Sequence, residues 1–248
     1  MATDARLPLT ESLAILAASR SGSFEASQSL FLDAMWQFDQ HVVNGLATQG
    51  DIRNGKGDFF NDFLRVLLGA CSGKEVQSRP NIPGLSFANH KLDIAYPLEG
   101  PVQVAIETKA TGVPLHGGNP RQKNLAGRPG SADLEKRIKE AAFKNIDVKG
   151  ERARSEGRGG GATNDLGHWL RSTPPRCYLF LACRVVDDND LRKAASFAQT
   201  ASVWFDRCGL FTYRVNATGT GYVPAPVHPT ISLDRVMAEV CTVLRNLP

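Results

Sequence analysis

Cys177-Tyr-Leu-Phe-Leu-Ala-Cys183 is seven apolar residues in a row, set between Arg176 and Arg184. A run that short and that continuous suits a strand buried on both faces, and such a strand needs helices packed over both sides of its sheet. The remaining pattern meets that demand. Residues 8–49 read as two helical pieces, with Leu9, Leu13, Leu16 and Ala17 and then Phe31, Met35, Phe38 and Val42 at helical spacing. Asp51-Ile-Arg-Asn-Gly-Lys-Gly57 reads as a break rich in turn formers. A helix follows from Asp58 to about Ala70, with Phe59, Phe60, Phe63, Leu64, Leu67 and Leu68 in one wide stripe and Gly69 and Gly73 at its end.

Three extended segments come next: Glu75 to Phe87, broken by Pro80, Pro83 and Gly84, then residues 90–98 and residues 102–110. After a Gly/Pro-rich loop from Gly112 to Gly130, Ser131 is placed to cap a helix running to about Asp147. Lys149 to Asp165 carries Gly157, Gly159, Gly160 and Gly161 among charges and reads as a mobile loop. A helix from Asp190 to Asp206, a strand Leu210–Val215 and a helix from Leu233 to about Leu247 close the chain. The expected fold class is α/β, a mixed sheet flanked by helices.

The 248 residues are enough for one sizeable core. No apolar run reaches the roughly 20 residues that cross a bilayer, so no membrane partner is expected. Thr3, Asp4, Arg6 and Glu11 interrupt any N-terminal signal peptide. Cys71, Cys177, Cys183, Cys208 and Cys241 are scattered and odd in number, which reads as reduced thiols in a cytoplasmic protein. Charge is uneven. Arg121 to Arg158 holds eleven Lys/Arg against six Asp/Glu, and the rest of the chain eighteen against nineteen. Positive charge so concentrated suits a polyanion.

The chemistry-bearing feature is a hairpin. With a turn centred on Gly100, residues whose numbers sum to 200 face one another, so Asp93 lies opposite Glu107 with Cβ atoms roughly 5 Å apart. Glu107 and Lys109 leave the same face of their strand, among Ala95 and Ala105. Leu92, Ile94, Tyr96, Val102, Val104 and Ile106 fall on the other, apolar face. Two facing carboxylates repel unless a cation lies between them. Magnesium, with its preference for hard oxygen ligands, suits the place, and manganese can substitute.

Leu92-Asp93 followed by Glu107-Thr108-Lys109, after the helix GDFFNDFLRVLL, resembles the PD-(D/E)XK nuclease superfamily, with Leu92 where the family has proline. The likeness covers about Asp58 to Val186, roughly half the chain, and within the superfamily the size is most similar to type II restriction endonucleases. It implies a restriction-endonuclease-like core of helix, three strands, helix and strand. A single nuclease domain would then comprise an N-terminal helical elaboration (1–56), a catalytic core (57–186) and a C-terminal strand and helices (187–248). It also implies that Asp93 and Glu107 bind the catalytic metal, that the Thr108 carbonyl adds a ligand, and that Lys109 orients the attacking water. The family often has an acidic residue on its first helix. Here Asp62 is the candidate, with Asp58 and Asn61 nearby.

The function so implied is magnesium-dependent hydrolysis of double-stranded DNA, as a sequence-specific restriction enzyme. It would act as a homodimer, since two antiparallel strands favour two-fold symmetry, beside a companion DNA methyltransferase that protects host DNA. Arg121, Lys123 and Arg128 in the loop, and Lys136, Arg137, Lys139 and Lys144 on the next helix, are the expected phosphate contacts. Arg152, Arg154 and Arg158 could order on DNA. A structure-specific repair nuclease of the same fold and a non-catalytic basic DNA-binding module are the competing readings. Gly69-Ala-Cys-Ser-Gly-Lys74 follows a helix and is one residue short of a P-loop. His116 and His168 stand alone in loops, and no nucleophile elbow supports a Ser/His/Asp site.

Overall fold

The computed structural model describes residues 4–114, 128–157 and 166–248. The helices are α1 (Leu7–Ser19), α2 (Phe24–Val43), α3 (Gln49–Ser72), α4 (Leu134–Ser155), α5 (Leu166–Ser172), α6 (Asp188–Ala201) and α7 (Leu233–Asn246). The strands are β1 (Gln77–Ser78), β2 (Asn81–Ile82), β3 (His90–Lys91), β4 (Ile94–Tyr96), β5 (Val104–Thr111), β6 (Arg176–Arg184), β7 (Arg207–Val215) and β8 (Tyr222–Pro224). Six of them form one sheet in the order β1-β4-β5-β6-β7-β8, and β2 and β3 pair separately. The sheet is mixed: β5, β6 and β7 run parallel, and β1, β4 and β8 are antiparallel to their neighbours. This is an α/β fold with helices on both faces.

Alternation along β6 shows why. Tyr178, Phe180 and Ala182 enter a core with α1, α2, α3 and α7, where Phe24, Phe31, Phe60 and Phe63 cluster. Cys177, Leu179, Leu181 and Cys183 enter a second core with α4 and α6. A seven-residue apolar run is what two-sided burial requires. No helix among the described residues is long and apolar enough to cross a membrane.

Four expectations need correction. First, Asp51–Gly57 is no break: α3 begins nine residues before Asp58, at Gln49. Thr48 and Asp51 form a reciprocal capping box, Gly55 packs under Phe38, and Lys56 is buried with its ammonium 2.5 Å from Asp39 Oδ2. Packing and capping outweigh the poor helix propensity of two glycines.

Second, Lys149 to Ser155 is not a loop. The helix expected to end near Asp147 continues to Ser155, because Lys149 is fully buried and donates to the carbonyls of Thr173 and Pro175. Arg152 pairs with Glu156, and Arg154 with Glu151. Residues 158–165, with Arg158, lie outside the described residues. Ser131 sits in a short 3-10 turn, Gly130–Asp133, ahead of α4 and makes no cap hydrogen bond there.

Third, Leu92 and Val102 join the α4 side of the sheet, away from Ile94, Tyr96, Val104 and Ile106. Pairing begins at Ile94 and at Val104, and the alternation holds only within the paired strands. Fourth, the cysteines are not all reduced. Packing of α7 on α3 brings the Cα atoms of Cys71 and Cys241 to 5.9 Å, and their sulfurs are bonded across 170 residues of sequence. Cys177, Cys183 and Cys208 are free and buried.

Candidate active site

The hairpin register is the one the turn at Gly100 dictates: Ile94 faces Ile106, Ala95 faces Ala105 and Tyr96 faces Val104. Just before β4 the chain bends at Asp93, which is held from two sides. Its carbonyl accepts from the Arg79 amide at 2.9 Å. Its Oδ2 accepts from the Thr108 amide at 2.7 Å and the Thr108 hydroxyl at 3.3 Å. Glu107 sits in mid-β5, hydrogen-bonded strands on either side, and only 4% of it is exposed.

Lys109 supplies the cation that two neighbouring carboxylates need. Its ammonium donates to Glu107 Oε2 at 2.8 Å, Asp93 Oδ2 at 3.1 Å and the Thr108 carbonyl at 2.9 Å. Burial pushes the Lys109 pKa down, but the charges of Glu107 and Asp93 outweigh it and hold the group above its usual range. Three oxygens, from Asp93, Glu107 and Thr108, therefore converge on one positive centre. A hard divalent ion prefers that kind of donor set. Among the described residues no group of three or more His, Cys, Asp or Glu side chains forms a metal-binding arrangement, here or elsewhere, and this site has two, Asp93 and Glu107.

Asp93, Thr108 and Lys109 border a cleft of about 390 Å³ walled by α3 and α4, with Arg53, Asn54, Asp58, Asn61, Arg79 and Arg137 along it, and Glu107 lies behind them, outside its lining. A larger cavity of about 630 Å³ opens near Gln103 and Arg176, at the opposite end of β5 and β6. It contains none of Asp93, Glu107 and Lys109, so chemistry rather than volume locates the site.

Asp62 does not line the cleft. It lies 3.9 Å from Arg65, and burial raises its pKa, with Asp58 adding to the rise and Arg79 and Arg65 opposing it. Asp58 does line the cleft, bound to Arg79 at 2.6 Å. Ten residues inside α3, it has no capping role, which Thr48 fills. Asn61 is 2% exposed and donates weakly to Ser78, while its Oδ1 is buried without a hydrogen-bond partner among the described residues. Asn61 lines the same cleft as Asp93.

Of the expected phosphate contacts, Arg137 borders the cleft and also reaches Glu140. Lys136 and Lys139 are exposed and face Glu140 and Glu135 within the helix. Arg128 pairs with Asp133. Lys144 reaches the site itself, on Glu107. Arg121 and Lys123 lie outside the described residues.

Arg53, Asn54 and Arg79 were not anticipated from the sequence. The pattern Thr48-x-x-Asp51, a capping box, could have moved the start of α3 back and put Arg53 and Asn54 on a helix. Nothing local marks Arg79. Comparison with protein-family models, curated proteins and solved structures finds no match for this chain.

Proposed function

We propose that this chain is a divalent-metal-dependent endodeoxyribonuclease with a restriction-endonuclease-like core, cutting double-stranded DNA as a site-specific type II enzyme. The observation that carries the reading is the convergence of Asp93 Oδ2, Glu107 Oε2 and the Thr108 carbonyl on one cation, within 3.1 Å of each. Element order supports it: a helix, antiparallel strands, the long α4 with the short α5 after it, then β6 parallel to β5.

Asp93, Glu107 and the Thr108 carbonyl are the groups that would hold Mg2+ or Mn2+. Such an ion polarises a scissile phosphate and lowers the pKa of a bound water. Lys109, once released from the carboxylates, is placed to donate to the attacking water or to a phosphate oxygen that gains charge. Asn61, on the same cleft, would present its open Oδ1 as an acceptor to a bound water. Arg53, Arg79 and Arg137 bind the phosphates flanking the cut, and the walls of α3 and α4 orient the strand.

A homodimer, a protecting methyltransferase and a cytoplasmic location belong to the same proposal. The Cys71–Cys241 bond is the one feature that runs against the last. The test is digestion of a sequenced plasmid with magnesium. Discrete fragments support restriction, and nicking confined to junctions or flaps supports repair. Binding without any cleavage would leave only a DNA-binding module.

A further inference from the structure

Glu107 is held by two lysines. Besides Lys109, Lys144 of α4 places its ammonium 3.1 Å from each carboxylate oxygen of Glu107 and 2.9 Å from the carbonyl of Lys91. Lys109 spans Glu107 and Asp93. Two carboxylates are thus matched by two ammonium groups, and the four side chains carry no net charge together.

We infer that Lys144 is a counter-ion that competes with the divalent cation for Glu107, so that metal enters the site together with a DNA phosphate rather than ahead of it. The inference rests on the reading of Asp93, Glu107 and Thr108 as metal ligands. A divalent ion approaching this neutral group must displace ammonium from Glu107 or lie beside two positive charges, and at such distances either is costly. A phosphodiester changes the balance by giving the displaced ammonium an anionic partner. Lys144 is free to make that exchange, because 28% of its side chain is exposed while Glu107 is nearly enclosed. Arg137 stands seven residues earlier, on the same face of α4 and about 10 Å along the axis. The helix therefore presents two cations on one face, Arg137 at the cleft and Lys144 on Glu107. Lys144 acts through Glu107, and it is a positioning residue.

Calorimetry of Ca2+ binding to the full chain, with and without a DNA duplex, tests the idea, since calcium fills oxygen sites without supporting cutting. The wild type should bind Ca2+ weakly alone and at least tenfold more tightly with DNA. K144M should bind Ca2+ about tenfold more tightly than wild type without DNA, and lose most of the dependence on DNA. K144R, which keeps the charge, should behave as wild type. Thermal unfolding in chelator establishes that each variant is folded. K144Q, still able to donate to the Lys91 carbonyl, takes the place of K144M if the methionine costs the fold. A folded K144M or K144Q with wild-type or weaker Ca2+ affinity overturns the inference. If D93N still abolishes Ca2+ binding in that case, the metal-site reading stands alone. If no form binds Ca2+, with or without DNA, that reading falls too.

Discussion

Gly55 of α3 lies so close to the ring of Phe38 on α2 that a Cβ at position 55 would stand 2.8 Å from Phe38 Cζ. The ring is fully buried in the core that α2 and α3 share. What reads in the sequence as a helix breaker is a point of close approach between two helices.

Gly55→Ala should therefore destabilise the protein. Alanine favours a helix by about 1 kcal/mol over glycine, but overpacking a rigid core costs typically about 1–3 kcal/mol. The net loss should appear as a lower urea midpoint at unchanged slope. Phe38→Leu should relieve part of it in the double variant. A midpoint raised by Gly55→Ala alone would mean that the ring yields freely.

Asp93→Asn and Glu107→Gln should both abolish cleavage, with unequal effects on folding. Asp93 is a quarter exposed, so its loss should move the unfolding temperature little. Glu107 is enclosed and faces two ammonium groups, and breaking a buried ion pair from one side costs roughly 3–5 kcal/mol. Part of that will be recovered because Lys144 can turn to solvent. Cleavage and melting measured on the same preparations separate the two effects, and wild-type cleavage by either variant removes the site assignment.

Arg137→Glu should weaken binding to every duplex sequence and lower the slope of log affinity against log salt by about one or more. Lys136→Glu and Lys139→Glu should do less, since both side chains face acidic partners on their own helix and neither lines the cleft. Equal effects from all three would point to a diffuse field rather than a contact at the cleft.

Asp147 ties the segment before Asp93 to α4, accepting from His90 Nε2 at 2.7 Å and from the amides of Ser86 and Phe87. Burial raises its pKa, but those hydrogen bonds outweigh it and hold the group below its ordinary 3.8. The folded carboxyl keeps its charge to lower pH than the unfolded one. Its contribution is thus fully present above about pH 4 and lost as acid takes the pH through the folded value. Asp147→Asn should flatten stability against pH in that acid range, as read from urea midpoints at successive pH values. An unchanged acid limb would assign it to other carboxylates.

The parts of this fold that local pattern controls were legible in the sequence. A tight turn at Gly100 and strict alternation set the pairing of Ile94 with Ile106, and an unbroken apolar run set β6 as the central strand. The joining of Asp93, Glu107 and Lys109 follows from the same hairpin. What escaped depends on distant partners. Gly55 is helical because of Phe38, and Lys149 because of carbonyls more than twenty residues later. Lys144 meets Glu107 across 37 positions, with nothing in either neighbourhood to announce it. Arg53 and Asn54 reach the cleft only because α3 starts at Gln49.

The bond between Cys71 and Cys241 has a consequence for the connectivity of the chain. Every strand of the described structure, and both carboxylates of the site, lie on the covalent ring that it closes. A protease that cuts once anywhere between those two cysteines opens the ring but releases no fragment. The nicked molecule would run as one species until reductant is added and then as two. A cut between α2 and α3, outside the ring, would instead leave α1 and α2 held by packing alone.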